Sequence, residues 1–290
     1  MAEFVEGIGK GGMGKGGMVL DRDAIAGMVA ARREGGLWRT LNDVGVVAWR
    51  NLLLEVRAPA SLLVSTMFTV SLLCVFTASF ARVFAADGSF SSYAQFLLPF
   101  TIVQGLLFNT INISVFFYED LENGMDVRLR AMPIARLSAL GGRLISSGAR
   151  LLFQVVGIVL AGHLLGFRFQ GGLLSSLAFL VLPVIFTLAV SMFGFFVAVG
   201  AKSAEAISAV LNPWILPLTF FSIGYVPKEG FPDWAQGIVT YNPVSVVSEA
   251  MRALANGEAA LAAVGTALGW SGLLMVFFGW KTVKAYQRRI

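Results

Sequence analysis

The side chains best suited to chemistry form a mixed-charge cluster near the middle of the chain. Glu119, Asp120, Glu122 and Asp126 precede Arg128, Arg130, Arg136 and Arg143, with Gly124 and Pro133 among them. Positive charge alone would orient the chain in a membrane, but it leaves four acids unexplained. The glycine and proline imply a turn between two helical pieces, so the segment suits a surface helix that docks on a soluble partner. A second feature, Gly9–Gly16, fits the G-x-x-x-x-G-K pattern of a phosphate-binding loop. Gly16, however, stands where a hydroxyl must hold Mg²⁺, and no strand precedes it. The segment therefore reads as a flexible basic linker, and the chain is not expected to bind ATP itself.

Polar residues inside the apolar stretches fall on faces. Thr101, Gln104, Phe108 and Asn112 are spaced by three or four, and Ser208, Asn212, Thr219 and Ser222 share a second stripe. These stripes fit either a polar path between two copies of the chain or hydrogen-bond contacts between helices, which average about 0.6 kcal/mol each. Asn242 and Pro243 open a short helix on which Glu249 and Arg252 stand three apart, close enough to pair. That helix could be a structural brace or an outer gate. His163, near the outer end of its span, suits an interfacial hydrogen bond better than a proton relay. Cys74 is the single cysteine, which excludes a disulfide framework and a multi-cysteine metal site, and packing is its expected role. No span carries a nucleophile beside a base, so an intramembrane enzyme is disfavoured and no catalytic site or metal is expected. No ionisable side chain sits near the middle of a span, which argues against an ion-coupled secondary carrier.

The elements that must position these residues are membrane helices. Of 290 residues, 57% are hydrophobic and 13% charged, and mean hydropathy is +0.76, more than a soluble fold could bury. Six stretches are long and apolar enough to cross about 30 Å of hydrocarbon, near 61–84, 94–117, 143–166, 173–200, 206–226 and 261–283. With these spans eighteen Lys/Arg fall on one side and four (Arg82, Arg168, Lys228, Arg252) on the other. That asymmetry places both termini and the second-to-third loop in the cytoplasm. It also accounts for the net charge of +5 without nucleic acid.

The expected organisation is a flexible glycine-rich cytoplasmic tail over 1–36, an amphipathic interface helix over 37–58, and a six-span domain over 59–290. No short cleavable leader opens the chain, so the first span is expected to serve as the insertion signal. The outer loops near 86–92 and 166–172 are too short for a folded module. Between the fifth and sixth spans Pro227, Pro232 and Pro243 divide a long apolar segment, which predicts two short re-entrant helices, the second over Val244–Ala255.

Three segments resemble the permease subunits of type-2 ABC exporters, in the daunorubicin-resistance-like branch of actinobacteria. They are the acid-glycine-arginine loop with MPIAR (Met132–Arg136), GYVPKEGFPDW (Gly224–Trp234) and YNPVSVVSEAMRAL (Tyr241–Leu254). The resemblance implies an all-α integral membrane protein with a cytoplasmic coupling helix in the bacterial cytoplasmic membrane. It implies a second permease chain, identical or homologous, and separate ABC ATPase subunits that carry ATP and Mg, with no cofactor in this chain. Coupling to the ATPase would pass through Glu119, Glu122, Gly124, Arg128, Arg130, Pro133 and Arg136. The cargo would be hydrophobic or amphipathic, a drug or a cell-envelope lipid, and would move outward. The glycine-lysine tail has no counterpart in that family. A non-transporting membrane scaffold remains the alternative in which the charged loop is only a docking site.

Overall fold

The computed structural model describes residues 44–45, 48–49, 52, 60–84, 89–124 and 138–288. The proposed tail, most of the proposed interface helix and the loop from 125 to 137 lie outside them. Among the described residues all regular structure is helical: α1 (Ala60–Phe84), α2 (Phe90–Glu122), α3 (Ser138–Leu164), α4 (Leu173–Gly200), α5 (Ala204–Phe220), α6 (Asp233–Tyr241), α7 (Pro243–Asn256) and α8 (Leu261–Arg288). A single 3-10 turn, Lys228–Gly230, links α5 to α6.

Five helices, α1 to α4 and α8, are long and apolar enough to cross a bilayer. The fifth span expected over 206–226 is instead a helix of 17 residues, Ala204–Phe220, which rises about 26 Å and falls short of the hydrocarbon thickness. Two internal prolines, Pro213 and Pro217, remove donors from its ladder, and the chain turns away after Phe221. The carbonyls left open there are taken by Asn242, whose Nδ2 donates to Leu218 O at 2.8 Å and Phe221 O at 2.6 Å.

The two short helices expected in the segment that follows are α6 and α7, the second one residue longer at each end than predicted. Asn242 also caps α7, its Oδ1 accepting from Val244 N at 2.8 Å, with Pro243 in the first turn where a missing N–H costs nothing. At the other end Gly257 adopts φ 72°, the left-handed conformation that closes a helix, and lies against Gln170 and Gly171.

The centre of the bundle is α2, which packs on α1, α3, α4, α5 and α7 and is the most buried span. Apolar residues lie on every side of it, as suits a helix surrounded by others, and its buried polar groups are few. Glycines and small hydroxyl residues allow close crossings: Thr69 occupies the space a Cβ on Gly105 would need, and Ser114 does so for Gly194. By contrast α1 and α8 leave Val64, Met67, Phe68, Val276, Phe277 and Trp280 exposed. Such surfaces carry no hydrophobic penalty against lipid tails. Cys74, expected as a packing residue, is exposed on α1. Of the described residues in the 37–58 segment, Ala48 is buried, Trp49 is exposed, and Val44 lies against Gly141 of α3.

Candidate functional site

At the end of α2 where acids cluster, Gly124 takes φ 66° and closes the helix, with Asn123 N donating to Glu119 O at 2.9 Å and Gly124 N to Leu121 O at 3.3 Å. Glu119 and Glu122 are exposed on this last turn. Asp120 turns toward α3 and pairs with Arg143 at 3.4 Å. Arg143 and Arg150, one below the other on α3, lie 5.3 and 5.4 Å from the ring of Phe116, and Arg150 Nη2 donates to Ser61 Oγ at 3.3 Å. The charge of this end is thus anchored in the bundle, while the arginines Arg128, Arg130 and Arg136, with Pro133, lie outside the described residues.

Of the stripe on α2, Thr101 and Gln104 are buried, Phe108 is half-buried against Phe68, and Asn112 is exposed. Thr101 returns its hydroxyl to Leu97 O. On the second stripe Ser208 and Asn212 are half-buried on α5, Thr219 is buried and bonds Ile215 O, and Ser222 lies beyond the helix, bonded to Thr219 O at 2.6 Å. Any surface shared with a second chain must be at least partly exposed in one chain. Asn112, Asn212, Ser208 and Phe108 meet that condition, whereas Thr101, Gln104, Thr219 and Ser222 are held inside this one.

Two amides missed in the sequence form the polar centre. Asn109 Nδ2 donates to Gln154 Oε1 at 2.8 Å between α2 and α3, and Asn112 Nδ2 donates to Asn109 Oδ1 at 3.3 Å. Asn109 is offset by one residue from the stripe, and Gln154 is the single amide of its span. An amide within an apolar helix needs a partner, and that was the available signal.

The third cluster joins α2, α7 and the turn after α5. Tyr225 inserts its ring between Phe76 and Phe100, with centroids 4.3 and 4.6 Å away, and its hydroxyl donates to Gln104 Oε1 at 2.8 Å. Tyr93 on α2 donates to the Tyr225 carbonyl at 3.2 Å. Gly224 lies so close to Phe100 that a Cβ would run into the ring. Arg252 of α7 reaches into this turn. Its Nε donates to Phe96 O at 2.9 Å, its Nη2 to Ile223 O at 2.9 Å and Gly224 O at 3.1 Å, and its guanidinium lies 3.7 Å from the Phe96 ring centroid. Burial draws that guanidinium down to about 10, with nearby Glu249 opposing the shift, so it stays charged at neutral pH. The direct pairing of Glu249 with Arg252 suggested by their spacing is not present among the described residues, where Glu249 is exposed. A guanidinium with five donors is better satisfied by three fixed carbonyls than by one mobile carboxylate.

Comparison with known proteins covers the stretch of chain that holds these clusters. The family model described as "ABC-2 type transporter" matches residues 42–255, which span all three. The daunorubicin resistance ABC transporter permease protein DrrB1 of Streptomyces coeruleorubidus is 30% identical over 241 residues, 83% of this chain and 84% of that protein. A protein of Mycobacterium tuberculosis named "Probable doxorubicin resistance ABC transporter permease protein DrrC" is 27% identical over 192 residues, 66% of this chain and 69% of that one.

Proposed function

The chain belongs to the ABC-2 type transporter family, as a transmembrane permease subunit of an ABC exporter, and on that premise we propose that it carries a hydrophobic or amphipathic compound out across the cytoplasmic membrane. The relatives named for daunorubicin and doxorubicin resistance support a drug-like cargo, and the apolar, phenylalanine-rich spans suit it; a cell-envelope lipid has the same physical character. The observation that carries the reading is the family match across the charged loop and α7 together.

In this proposal the chain has six crossings, with α5 and its buried turn completing the sixth, and both termini face the cytoplasm, as the eighteen-to-four division of basic residues favours. Two permeases stand side by side over two ATPase subunits, which hold ATP and Mg and do all the hydrolysis. Glu119, Glu122, Gly124, Arg128, Arg130, Pro133 and Arg136 form the coupling contact. Motion can pass only through a contact that both arrangements of the permease bias, and the Asp120–Arg143 pair ties that contact to α2 and α3. Cargo moves along the face bearing Asn112, Asn212, Ser208 and Phe108. Asn242, Pro243, Glu249 and Arg252 close the outer end, with Arg252 as the bolt between α7 and the Ile223–Gly224 turn.

The test is co-expression of the chain with a candidate ABC ATPase subunit, followed by affinity capture on one partner and assay of hydrolysis with candidate drugs and lipids. A stable complex whose hydrolysis a cargo stimulates is expected. Arg130→Glu with Arg136→Glu should abolish capture; intact capture and transport in that variant would refute the coupling assignment.

A further inference from the structure

Where α4 ends, α5 begins and α8 closes the chain, the bundle holds an open cleft of about 750 Å³. Its walls are apolar, with Phe196, Val199, Val210 and Ala285 among them, and Lys202 and Arg288 stand in its lining. A third cation, Lys281, lies 5.9 Å from the Phe196 ring and 4.9 Å from that of Phe277. The acid of this turn, Glu205, is exposed and not part of the lining. On α8, two turns before Arg288, exposed Trp280 carries Lys284 at 4.9 Å, an aromatic ring beside a cation as suits the membrane–water interface, where Trp is enriched.

We infer that this cleft is a binding site for an anionic phospholipid of the adjoining leaflet, with an acyl chain against the apolar walls and the phosphate at Lys202 and Arg288. The volume falls within the range of small-molecule sites, roughly 300–1,000 Å³. A cleft with greasy walls and a cationic mouth at headgroup level matches a molecule divided in the same way, and neither a soluble anion nor a neutral lipid satisfies both parts. The lipid is resident rather than transported. It adds to the bond from Thr282 Oγ1 to Met192 O, 2.8 Å, that already joins α8 to α4, and extends that contact to the α4–α5 turn. The inference goes beyond the identity of the cargo, and the binding measurements need no ATPase, so their failure would leave the exporter reading standing.

The experiment is native mass spectrometry of the full-length chain released from mixed micelles holding equal dioleoyl phosphatidylglycerol and dioleoyl phosphatidylcholine. Wild-type protein should retain one phosphatidylglycerol per chain in preference to phosphatidylcholine. Lys202→Gln and Arg288→Gln should each lower that preference by about fivefold, as expected for removing one cation near a lipid phosphate. Val210→Trp, which fills the cleft, should remove the retained lipid of either kind. Lys228→Gln, at the other end of the bundle, should change nothing, and circular dichroism with a thermal melt establishes that each variant is folded. Equal retention of the two lipids, unchanged retention in the folded cleft variants, or an equal loss in Lys228→Gln would overturn the site. So would splitting of a permease dimer by Val210→Trp with the lipid count unchanged, because a second chain would then occupy the cleft. Release of the lipid when ATP is added to the chain in complex with its ATPase would make it cargo and overturn the resident assignment.

Discussion

Replacing Arg252 by alanine should loosen the whole junction between α7 and the turn after α5, and the size of the effect follows from its contacts. Three hydrogen bonds from a charged donor, at 2.9, 2.9 and 3.1 Å, contribute about 2 kcal/mol each, or about 6 kcal/mol together. The guanidinium is buried, which draws its pKa down to about 10, and the cost of taking a charge out of water, several kcal/mol per ion, offsets on the order of half of this. A net loss of about 3 kcal/mol remains, before the contact with the Phe96 ring is counted. For a chain of this size that corresponds to a fall of roughly 6–12 °C in the melting temperature. The assay is thermal unfolding of purified protein in detergent at one scan rate, with hydrogen exchange read across residues 221–226. Arg252→Lys keeps the charge but cannot span three carbonyls in a fixed fork, so it should recover less than half of the loss. A melt within about 1 °C of wild type for Arg252→Ala, or Arg252→Lys indistinguishable from wild type, would refute the assignment of Arg252 as the bolt, because both outcomes lie outside the calculated effect.

Asn242→Ala removes one helix cap and two bonds to the end of α5, and should cost about 2–3 kcal/mol, read as a lower melting temperature; Asn242→Asp, which keeps the cap alone, should recover part of it. Gly224→Ala forces a methyl into the Phe100 ring and should destabilise by about 1–3 kcal/mol, whereas Gly224→Ala with Phe100→Leu should recover much of that loss in the same melt. Asn109→Leu and Gln154→Leu should each destabilise, and the double variant should be more stable than their sum by about 0.6–1.7 kcal/mol, measured as a double-mutant cycle. Asp120→Asn, which weakens a pair whose acid is a third exposed, should change the melting temperature by less than about 4 °C while lowering cargo-stimulated ATP hydrolysis in the complex; unchanged hydrolysis would remove Asp120–Arg143 from the coupling route.

The features legible in the chain were those that repeat along it or stand out against it. Long apolar runs such as 173–200 dictate membrane helices because the bilayer leaves a backbone few other ways to satisfy its polar groups. Prolines 232 and 243 marked the starts of α6 and α7, and Pro227 that of the 3-10 turn before them, since each removes a donor at a known place. Gly124 closed α2 for a comparable reason, as a residue that accepts positive φ without strain. Misjudgement began where an outcome depended on a neighbour. The stretch 206–226 is apolar enough to read as a full span, yet its final residues form a turn because Asn242, Tyr93 and Arg252 supply alternative partners for the backbone.

The sequence by itself determined the class of the molecule, the position of most of its helices, the charge asymmetry and the family resemblance, because composition and spacing are properties of neighbours along the chain. Only the tertiary structure decided which polar residues face one another. Asn109 met Gln154 rather than continuing the stripe through Gln104, and Arg252 chose carbonyls 28 and 29 residues back over the carboxylate three residues away. Such pairings depend on the rotation of each helix about its axis, which is set by the packing of glycines and small side chains at crossings such as Gly105–Thr69 and Gly194–Ser114. A shift of one residue turns a helical side chain by about 100°, enough to move an amide from the interior to lipid, and no pattern read along one helix contains the shape of the helix it meets.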